Sequence, residues 1–308
     1  MLVVGAGFLG AHIVEAFVRT GVPVRVLTRR PLDGARGDRV AGARLILGDA
    51  NDGLLIGRAL AGVGTVVFSA GGLRPAESEL DPLGDLRITI PPLLTVLDAL
   101  REQPGPALVY LSSGGTIYGE PDLVPVPESA PLRPTGSYDT LKVTAERYLE
   151  LYRRRLGVRS VALRCANAYG EDQPSHRSQG VVASVVDAAL SGRALPVYGD
   201  GRATRDYVHV SDVAEAVVGV ARLLEQAEVP PALNVGSGIG TSIHELIAVV
   251  EEVVGPVRVE DHPARLCDVA RVVLDIAALR RVMRFDPIEL REGITRVAAA
   301  RASVLALA

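Results

Sequence analysis

The first ten residues constrain the fold more than any other part of this sequence. Residues 1–4 (MLVV) are apolar throughout, and Gly5, Gly7 and Gly10 then form G-x-G-x-x-G at the start of an amphipathic helical pattern that ends near Gly21. After a strand, the first glycine permits a tight turn, the second lets the backbone approach a pyrophosphate, and the third lets helix and strand pack closely. Free N–H groups at the helix N-terminus attract phosphate. The pattern predicts a dinucleotide-binding βαβ unit.

Apolar segments alternate with amphipathic ones along the first half of the chain. Further strands are predicted at 22–27, 44–47, 65–68, 107–111 and 158–163, and helices at about 92–102 and 138–156. Strands that are apolar throughout and separated by helices are typical of a parallel sheet covered on both faces. We therefore predict the α/β class, with a Rossmann doubly wound parallel sheet over residues 1–165.

The rest of the chain, residues 166–308, has more Pro, Gly and short elements. It is predicted to form a smaller α/β region that binds the substrate. About 205–238 is expected to return to the main sheet through strands at 207–210 and 232–235.

Composition and charge exclude several classes of protein. The 308 residues carry a net charge of −3 with both signs interspersed, so no basic footprint for nucleic acid or a membrane surface exists. No apolar run is long enough for a bilayer span, and the N-terminus lacks the basic segment and cleavage site of a secretory signal, so a cytoplasmic protein is expected. Cys165 and Cys267 make no disulfide framework, and no metal-ligand spacing occurs, so no metal site is predicted.

The chain contains a single lysine, Lys142. Lysine and arginine total 33, which leaves 33 − 1 = 32 arginines. Ammonium and guanidinium differ in shape and pKa, so a lone lysine marks a position that arginine does not fill. It follows Tyr138 by four residues, which puts both side chains on one helix face. A nearby ammonium and an oxidised nicotinamide would stabilise the phenolate, which can then take a proton from a substrate hydroxyl as hydride leaves.

Residues after the second and third predicted strands would contact the adenosine of a dinucleotide. An acidic residue after the second strand would favour NAD, but the sequence has Thr28, Arg29 and Arg30. The two arginines can pair with the 2′-phosphate of NADP or be solvated surface charges, so the residues leave NAD and NADP open. Asp49 can accept a hydrogen bond from the adenine amino group.

Further motifs run along nearly the whole chain. They are GAGFLG at 5–10, GD at 48–49, FSAGG at 68–72, LSSGGTIYG at 111–119, YDTLK at 138–142, LRCANAYG at 163–170, LPVYGDGRATRDYVHVSDVA at 195–214, LNVGSG at 233–238 and RLCDV at 265–269. In this combination the chain resembles the NAD-dependent epimerase/dehydratase family of extended short-chain dehydrogenases/reductases.

The resemblance implies a set of site residues. It implies that Tyr138 is the catalytic base and Lys142 its partner. The family places a serine or threonine at the position of Gly114, so Ser113, Thr116 or a water must replace that hydroxyl. Thr28, Arg29 and Arg30 stand where the family has an acidic residue at the ribose. With these three, the expected cofactor contacts are Gly5, Gly7, Phe8, Leu9, Gly10, Thr28, Arg29, Arg30, Asp49, Ala50, Ala70, Gly71, Tyr138 and Lys142. The implied substrate contacts are Arg74, Asn167, Arg177, Gln179, Val197, Tyr198, Arg205 and Arg265.

The resemblance also narrows the reaction. Gly115 and Thr116 stand where the family's 4,6-dehydratases carry an Asp-Glu pair, so elimination of water is not expected. The favoured function is a UDP-hexose or UDP-hexuronate 4-epimerase that uses NAD and a 4-keto intermediate, and Arg177 can pair with a uronate carboxylate. The alternative is an NADPH-dependent 4-ketoreductase of a dTDP-4-keto-6-deoxysugar. A nucleotide-binding regulator without catalysis is a third hypothesis, against which Tyr138 and Lys142 argue. Helices at 90–102 and 138–156 are expected to form a homodimer.

Overall fold

A seven-stranded parallel sheet organises the structure, which is a computed structural model that describes residues 1–174, 180–264 and 269–307. In spatial order the strands are β10 (Ala232–Val235), β6 (Ser160–Cys165), β5 (Ala107–Ser113), β4 (Thr65–Phe68), β1 (Leu2–Val4), β2 (Arg25–Thr28) and β3 (Arg44–Leu47). The chain winds outward from β1 to β3 and then from β4 to β6. The strand order therefore reverses between β1 and β4, and this switch point is where doubly wound sheets bind ligands.

Helices cover both faces of the main sheet. One face packs against α1 (Phe8–Arg19) and α8 (Val210–Gln226), and the other against α3 (Gly53–Ala59), α5 (Pro82–Glu102) and α6 (Ser137–Leu156). Two short helices, α2 (Gly34–Arg39) and α4 (Pro75–Leu80), follow β2 and β4. Because helices bury both faces, the central strands β1, β4, β5 and β6 are apolar almost throughout, as the sequence predicted.

Most predicted elements are confirmed with shifted ends, and α5 differs most. It begins at Pro82, ten residues before the predicted start, and contains Pro91 and Pro92 in its interior. The start was predicted at Pro92, where proline would be favourable because it is common in the first turn of a helix. The true start is capped by Asp81, whose side chain accepts a hydrogen bond from the Gly84 N–H at 2.9 Å. Buried apolar side chains on both sides of the prolines hold the helix against the sheet.

The second half of the chain builds two smaller sheets. One contains β7 (Asn167–Tyr169), β9 (Thr204–His209), β11 (Gly240–Ser242) and β13 (Arg271–Val272), and the other β8 (Leu195–Tyr198) and β12 (Val259–His262). A separate apolar core joins them to α7 (Val181–Ser191), α9 (Ile243–Val253) and α11 (Leu290–Leu307). The short helix α10 (Ala277–Val282) packs near β10.

The segment predicted to return to the main sheet is divided between two sheets. β10 does join the main sheet beside β6, and α8 packs against it. β9 does not: it pairs with β7, β11 and β13. An alternating strand pattern identifies a strand without identifying its partner, so the sequence could not decide this point. Among the residues that the structure describes, no helix is long and apolar enough to cross a bilayer.

Candidate active site

The glycine turn leaves an open cradle of backbone at the switch point. Gly5 has φ +92°, and a Cβ there would lie 2.5 Å from the backbone nitrogen of Ala70. Gly10 packs so closely on the Gly5 carbonyl that a side chain has no room, whereas Gly7 faces open space. Because Gly7 has no side chain to cap α1, the first N–H groups of the helix are free to bind phosphate. The cradle therefore fits a dinucleotide pyrophosphate.

The loop after β4 forms the wall opposite the glycine turn. The Ser69 hydroxyl donates to the Gly5 carbonyl at 2.7 Å, and the Ala70 N–H donates to the Val4 carbonyl at 2.7 Å. A Cβ on Gly71 would lie 3.5 Å from the Lys142 Nζ. Ala70 and Gly71, predicted as cofactor contacts, thus lie between the glycine turn and Lys142.

The predicted adenosine contacts lie together at the carboxyl ends of β2 and β3. The Thr28 hydroxyl donates to the Arg30 carbonyl at 3.2 Å, while Arg29 and Arg30 are exposed and make no ion pair within the described residues. Asp49 accepts hydrogen bonds from the backbone and side-chain nitrogens of Asn51, both at 2.9 Å. Ala50 is buried next to it. Asp49 therefore shapes the turn beside the adenosine position.

Lys142 is buried against β5. Its Nζ donates to the Leu111 carbonyl at 3.0 Å and lies 5.1 Å from the ring centroid of Tyr110 and 5.5 Å from that of Tyr138. Burial lowers the pKa of Lys142 to about 8 because the charged form loses its hydration. The two rings compensate in part, since aromatic faces attract cations.

Tyr138 lines the cleft in front of this lysine and hydrogen-bonds to Ser113. Burial of its hydroxyl raises the pKa of Tyr138, and the bond to Ser113 opposes that rise. The Thr116 hydroxyl donates to the Ser113 Oγ at 3.0 Å. The structure therefore joins both candidate hydroxyls to the tyrosine in one chain, Thr116–Ser113–Tyr138.

Gly114 shows why the family's hydroxyl is absent at that position. A Cβ on Gly114 would lie 2.7 Å from the Arg164 carbonyl and 2.6 Å from a methyl group of Leu274. No serine or threonine fits there, and Ser113 occupies the contact with the phenol instead.

A cleft of about 380 Å³ opens in front of Tyr138. Its walls come from α1, β5, the segment after β6 and the start of α7. The lining residues include Phe8, Leu9, Ser113, Thr116, Tyr138, Cys165, Ala166, Asn167, Gln173, Gly180, Val181 and Tyr207. No Asp or Glu lines the cleft in the part of the chain that the structure describes.

The predicted substrate contacts have different outcomes. Asn167 lines the cleft, with its Oδ1 against Gly115. Arg74 pairs with Glu77 at the start of α4, and the Arg205 guanidinium donates to the Thr204 carbonyl at 3.0 Å. Neither arginine lines the cleft. Three further predicted contacts, Arg177, Gln179 and Arg265, lie outside the described residues.

The two predicted contacts on β8 lie on opposite faces of the strand. The Val197 side chain points into the apolar core with α7 and α9, so only its main chain could lie along a nucleotide base. The alternation of the strand puts Pro196 and Tyr198 on the exposed face, and the Tyr198 ring lies 5.2 Å from the His262 ring. The period of two along a strand is the signal that identifies the exposed pair.

Sequence reasoning also missed two polar groups in the cleft wall. The Tyr207 hydroxyl and the Gln173 Oε1 are buried and have no partner within the described residues. Burial raises the pKa of Tyr207 to about 12. Buried polar atoms without partners are uncommon, so these two are candidates for contacts with a bound ligand. β9 is apolar only at its end, so its sequence pattern did not indicate that Tyr207 would lie buried in the cleft wall.

A Rossmann switch point with an open glycine turn, beside a lysine-supported tyrosine, defines a site of the short-chain dehydrogenase/reductase type. The chain belongs to the NAD-dependent epimerase/dehydratase family, whose model matches residues 1–236. The predicted resemblance and the predicted fold class are both confirmed.

Individual relatives agree with this placement. The UDP-glucose 4-epimerase of Mycolicibacterium smegmatis is 34% identical over 305 residues, 96% of each chain. The UDP-glucose 4-epimerase of Thermus thermophilus, solved in complex with NAD, is 33% identical with a TM-score of 0.86 over 97% of both chains. The UDP-glucose 4-epimerase of Thermotoga maritima, solved with UDP-glucose, is 28% identical with a TM-score of 0.89 over 99% of both chains.

Proposed function

We propose that this protein is an NAD-dependent UDP-sugar 4-epimerase, an isomerase that interconverts two nucleotide sugars through a 4-keto intermediate. The observation that carries the proposal is Tyr138, which faces the cleft with Lys142 behind it and the glycine turn beside it. The absence of Asp and Glu from the described cleft lining supports one reversible proton transfer and not an elimination. The named relatives support the same reaction.

NAD is the proposed cofactor. The open turn at Gly7, the close approach of Gly5 to Ala70 and the uncapped start of α1 form a cradle that a side chain would fill. The Gly5–Gly10 turn and the Ala70–Gly71 loop would hold the dinucleotide, which would supply a reversible hydride acceptor for C4 of the sugar. The Thermus relative holds NAD, which favours NAD over NADP and weakens the ketoreductase alternative.

The residues of the chain then have separable tasks. Tyr138 takes the proton from the C4 hydroxyl and gives it back from the phenol. The Lys142 ammonium stabilises the phenolate because opposite charges attract strongly in a dry site. Ser113, held by Thr116, orients the phenol. Between the two proton transfers the sugar would have to turn over in the cleft in front of Tyr138.

Substitution of the phenol tests the function. Tyr138→Phe should lower the rate of interconversion of UDP-glucose and UDP-galactose by about 10²–10⁴, the range of general acid–base catalysis. Bound NAD, measured after release from the purified protein, should remain. Tyr148→Phe, on the same helix and outside the cleft, is the matched control and should be near normal. Near-normal turnover by Tyr138→Phe would disprove the assignment.

The sugar can be identified by its C6 group. We propose a UDP-hexose or UDP-hexuronate, and Arg177 is the residue that would pair with a carboxylate. Turnover of UDP-galactose and UDP-galacturonate by the wild type and Arg177→Ala separates the two. A loss confined to the uronate supports the carboxylate contact, and equal losses remove it.

We also propose a homodimer formed through α5 and α6. The two helices pack side by side, and their outer faces expose Leu83, Leu86 and Leu151, with 56%, 44% and 44% of their surfaces accessible. Burial of such side chains against a second copy would contribute favourable apolar area. Light scattering of the wild type and Leu151→Glu tests this.

A cytoplasmic location is proposed because nicotinamide dinucleotides and nucleotide sugars are metabolites of that compartment.

A further inference from the structure

A carboxylate with no exposed surface lies on α5 near the active-site lysine. Asp85 is 0% exposed, and its Oδ1 accepts hydrogen bonds from the Leu73 N–H at 2.8 Å and the Thr89 hydroxyl at 2.9 Å. Its Oδ2 has no hydrogen-bond partner among the described residues. An isolated buried carboxylate is strongly disfavoured, so a nearby positive charge is needed to keep it ionised.

Two consecutive glycines connect Asp85 to Lys142. A Cβ on Gly71 would lie 3.5 Å from the Lys142 Nζ, and a Cβ on Gly72 would lie 2.5 Å from the Asp85 Oδ1. Because consecutive Cα atoms are about 3.8 Å apart, the ammonium and the carboxylate approach the same short stretch of loop without forming a direct ion pair. This loop is also the wall of the cofactor cradle.

The other ionisable groups around Lys142 are neutral or bound to other partners, although the charge of Glu146 also raises the pKa of Lys142. On α6, both oxygens of Glu146 are engaged by Arg164 and Ser112. The carboxylate of Asp139 accepts from the Gly136 N–H at the start of that helix. The Cys165 thiol on β6 stays neutral, since burial raises its pKa to about 12.

The two tyrosines that face the lysine are neutral as well. Burial raises the pKa of Tyr110 on β5, and its hydroxyl has no partner within the described residues. Tyr138 is the group that ionises only during the proposed reaction. Asp85 on α5 is therefore the carboxylate left to balance the buried ammonium.

We propose that Asp85 is the counter-ion of Lys142, a positioning residue that keeps the buried lysine charged and fixes the Ala70–Leu73 loop against it. It acts through the lysine and the loop and does not itself touch the reacting atoms. A charge pair in a low-dielectric interior is coupled far more strongly than one in water, so loss of the carboxylate should make the ammonium easier to deprotonate. The inference rests on the proposed function only for the role of Lys142.

The single lysine makes a direct test possible. Protein grown with 13C-labelled lysine gives one set of side-chain signals, and the Cε shift reports the protonation of Lys142. Asp85→Asn keeps an oxygen for Leu73 and Thr89 while removing the charge, and the pKa of Lys142 should fall by about one pH unit or more. Thr89→Val removes a hydrogen bond from the same carboxylate without changing its charge, and should leave that pKa within about 0.3 pH unit of the wild-type value.

The outcomes are distinct. An unchanged pKa of Lys142 in Asp85→Asn overturns the proposal, as does an equal fall in Thr89→Val. Asp85→Ser, which is smaller and keeps an oxygen for the Leu73 N–H, replaces Asp85→Asn if the latter does not fold. The titration needs no turnover, so it stands even if the proposed reaction is wrong.

Turnover supplies the second readout. In Asp85→Asn the alkaline limb of the kcat profile should move to lower pH with KM little changed. A role confined to holding the loop would instead lower the amount of NAD bound to the purified protein and leave the pH profile in place, and that result would also overturn the proposal.

Discussion

Two buried cations, Lys142 and Arg164, lie in neighbouring parts of the main sheet with opposite surroundings. Arg164 on β6 binds Glu146 through Nε and Nη2, the latter at 2.7 Å, and also donates to the Tyr118 hydroxyl and the Glu128 carbonyl, both at 2.9 Å. Lys142 has one acceptor among the described residues, the Leu111 carbonyl at 3.0 Å. Among the described residues, the Arg164 guanidinium has several hydrogen-bond acceptors, whereas the Lys142 ammonium has one.

The pKa values of Arg164 and Lys142 are shifted in opposite directions by these different surroundings. Burial alone would lower the pKa of Arg164, but the hydrogen bonds and charge of Glu146 more than offset it, so that pKa is raised. No comparable set of described partners protects Lys142, and burial lowers its pKa to about 8. A cation with a complete set of partners holds elements together, whereas one with spare donors and a perturbed pKa is free to act on a ligand. The comparison supports the proposal that Lys142 acts in the reaction while Arg164 holds the fold together.

The largest expected effect comes from breaking the satisfied pair. Glu146→Ala leaves the Arg164 guanidinium buried without its carboxylate, which should lower the free energy of unfolding by about 3–5 kcal/mol. Urea denaturation measures it. Glu150→Ala, one turn further along α6, removes a carboxylate whose partners Arg147 and Arg154 are exposed, and should cost less than about 1 kcal/mol. Equal losses in the two variants would remove the distinction between the pairs.

Removal of the unsatisfied cation should have the opposite effect on stability. Since the pKa of Lys142 is lower in the folded protein, the unfolded chain binds more protons between about pH 8 and 10.5, and stability from this group rises with pH across that window. Below pH 8 the buried ammonium costs about 3 kcal/mol. Lys142→Met removes this cost but leaves Asp85 without its counter-ion, so its gain in stability over the wild type at pH 7 should be smaller than about 3 kcal/mol.

The same variant should lose at least about 10² in turnover, because the phenolate loses its cation. Denaturation of both proteins at pH 7 and pH 10 checks the stability prediction. The difference between them should shrink as pH rises, and a constant difference would contradict the origin assigned to it.

The sequence predicted the features that depend on neighbours along the chain. The glycine turn, the strand–helix alternation and the four-residue spacing of Tyr138 and Lys142 are all local patterns, and the fold they predicted is confirmed. The lone lysine stood out by composition alone. These signals are strong because backbone geometry and helix periodicity fix what they mean.

Features that depend on distant partners were not predictable. Glu146 and Arg164 come together only when α6 packs on β6, and Asp85 was not noticed because α5 was predicted to start ten residues too late. The sequence of β9 did not indicate which strands it pairs with. The orientation of the Val197 side chain could be assigned only once the register of β8 was known. The sequence alone does not indicate which polar residues become buried.

A conservative change should separate charge from geometry at the satisfied pair. Arg164→Lys keeps the charge but cannot form the forked contact with Glu146 or reach both Tyr118 and the Glu128 carbonyl. The loss of two hydrogen bonds predicts destabilisation by about 2 kcal/mol, smaller than that of Glu146→Ala. A loss as large as that of Glu146→Ala would mean that geometry outweighs charge.

The smallest effect is expected for an exposed ion pair of similar geometry. Arg133 and Asp122 form two hydrogen bonds, at 2.9 and 2.7 Å, with both side chains largely in water. Arg133→Ala should leave the denaturation midpoint unchanged within error, because solvent and salt screen exposed pairs. A measurable loss would show that geometry alone stabilises such pairs.

The central claim, reversible hydride transfer at C4 assisted by Tyr138, is tested most directly with UDP-glucose that carries deuterium at C4. Incubation in ordinary water, with no reduced cofactor added, should yield UDP-galactose that keeps the deuterium at C4, as seen by NMR. Loss of the label to solvent, or a reaction that requires added NADPH, would contradict the account.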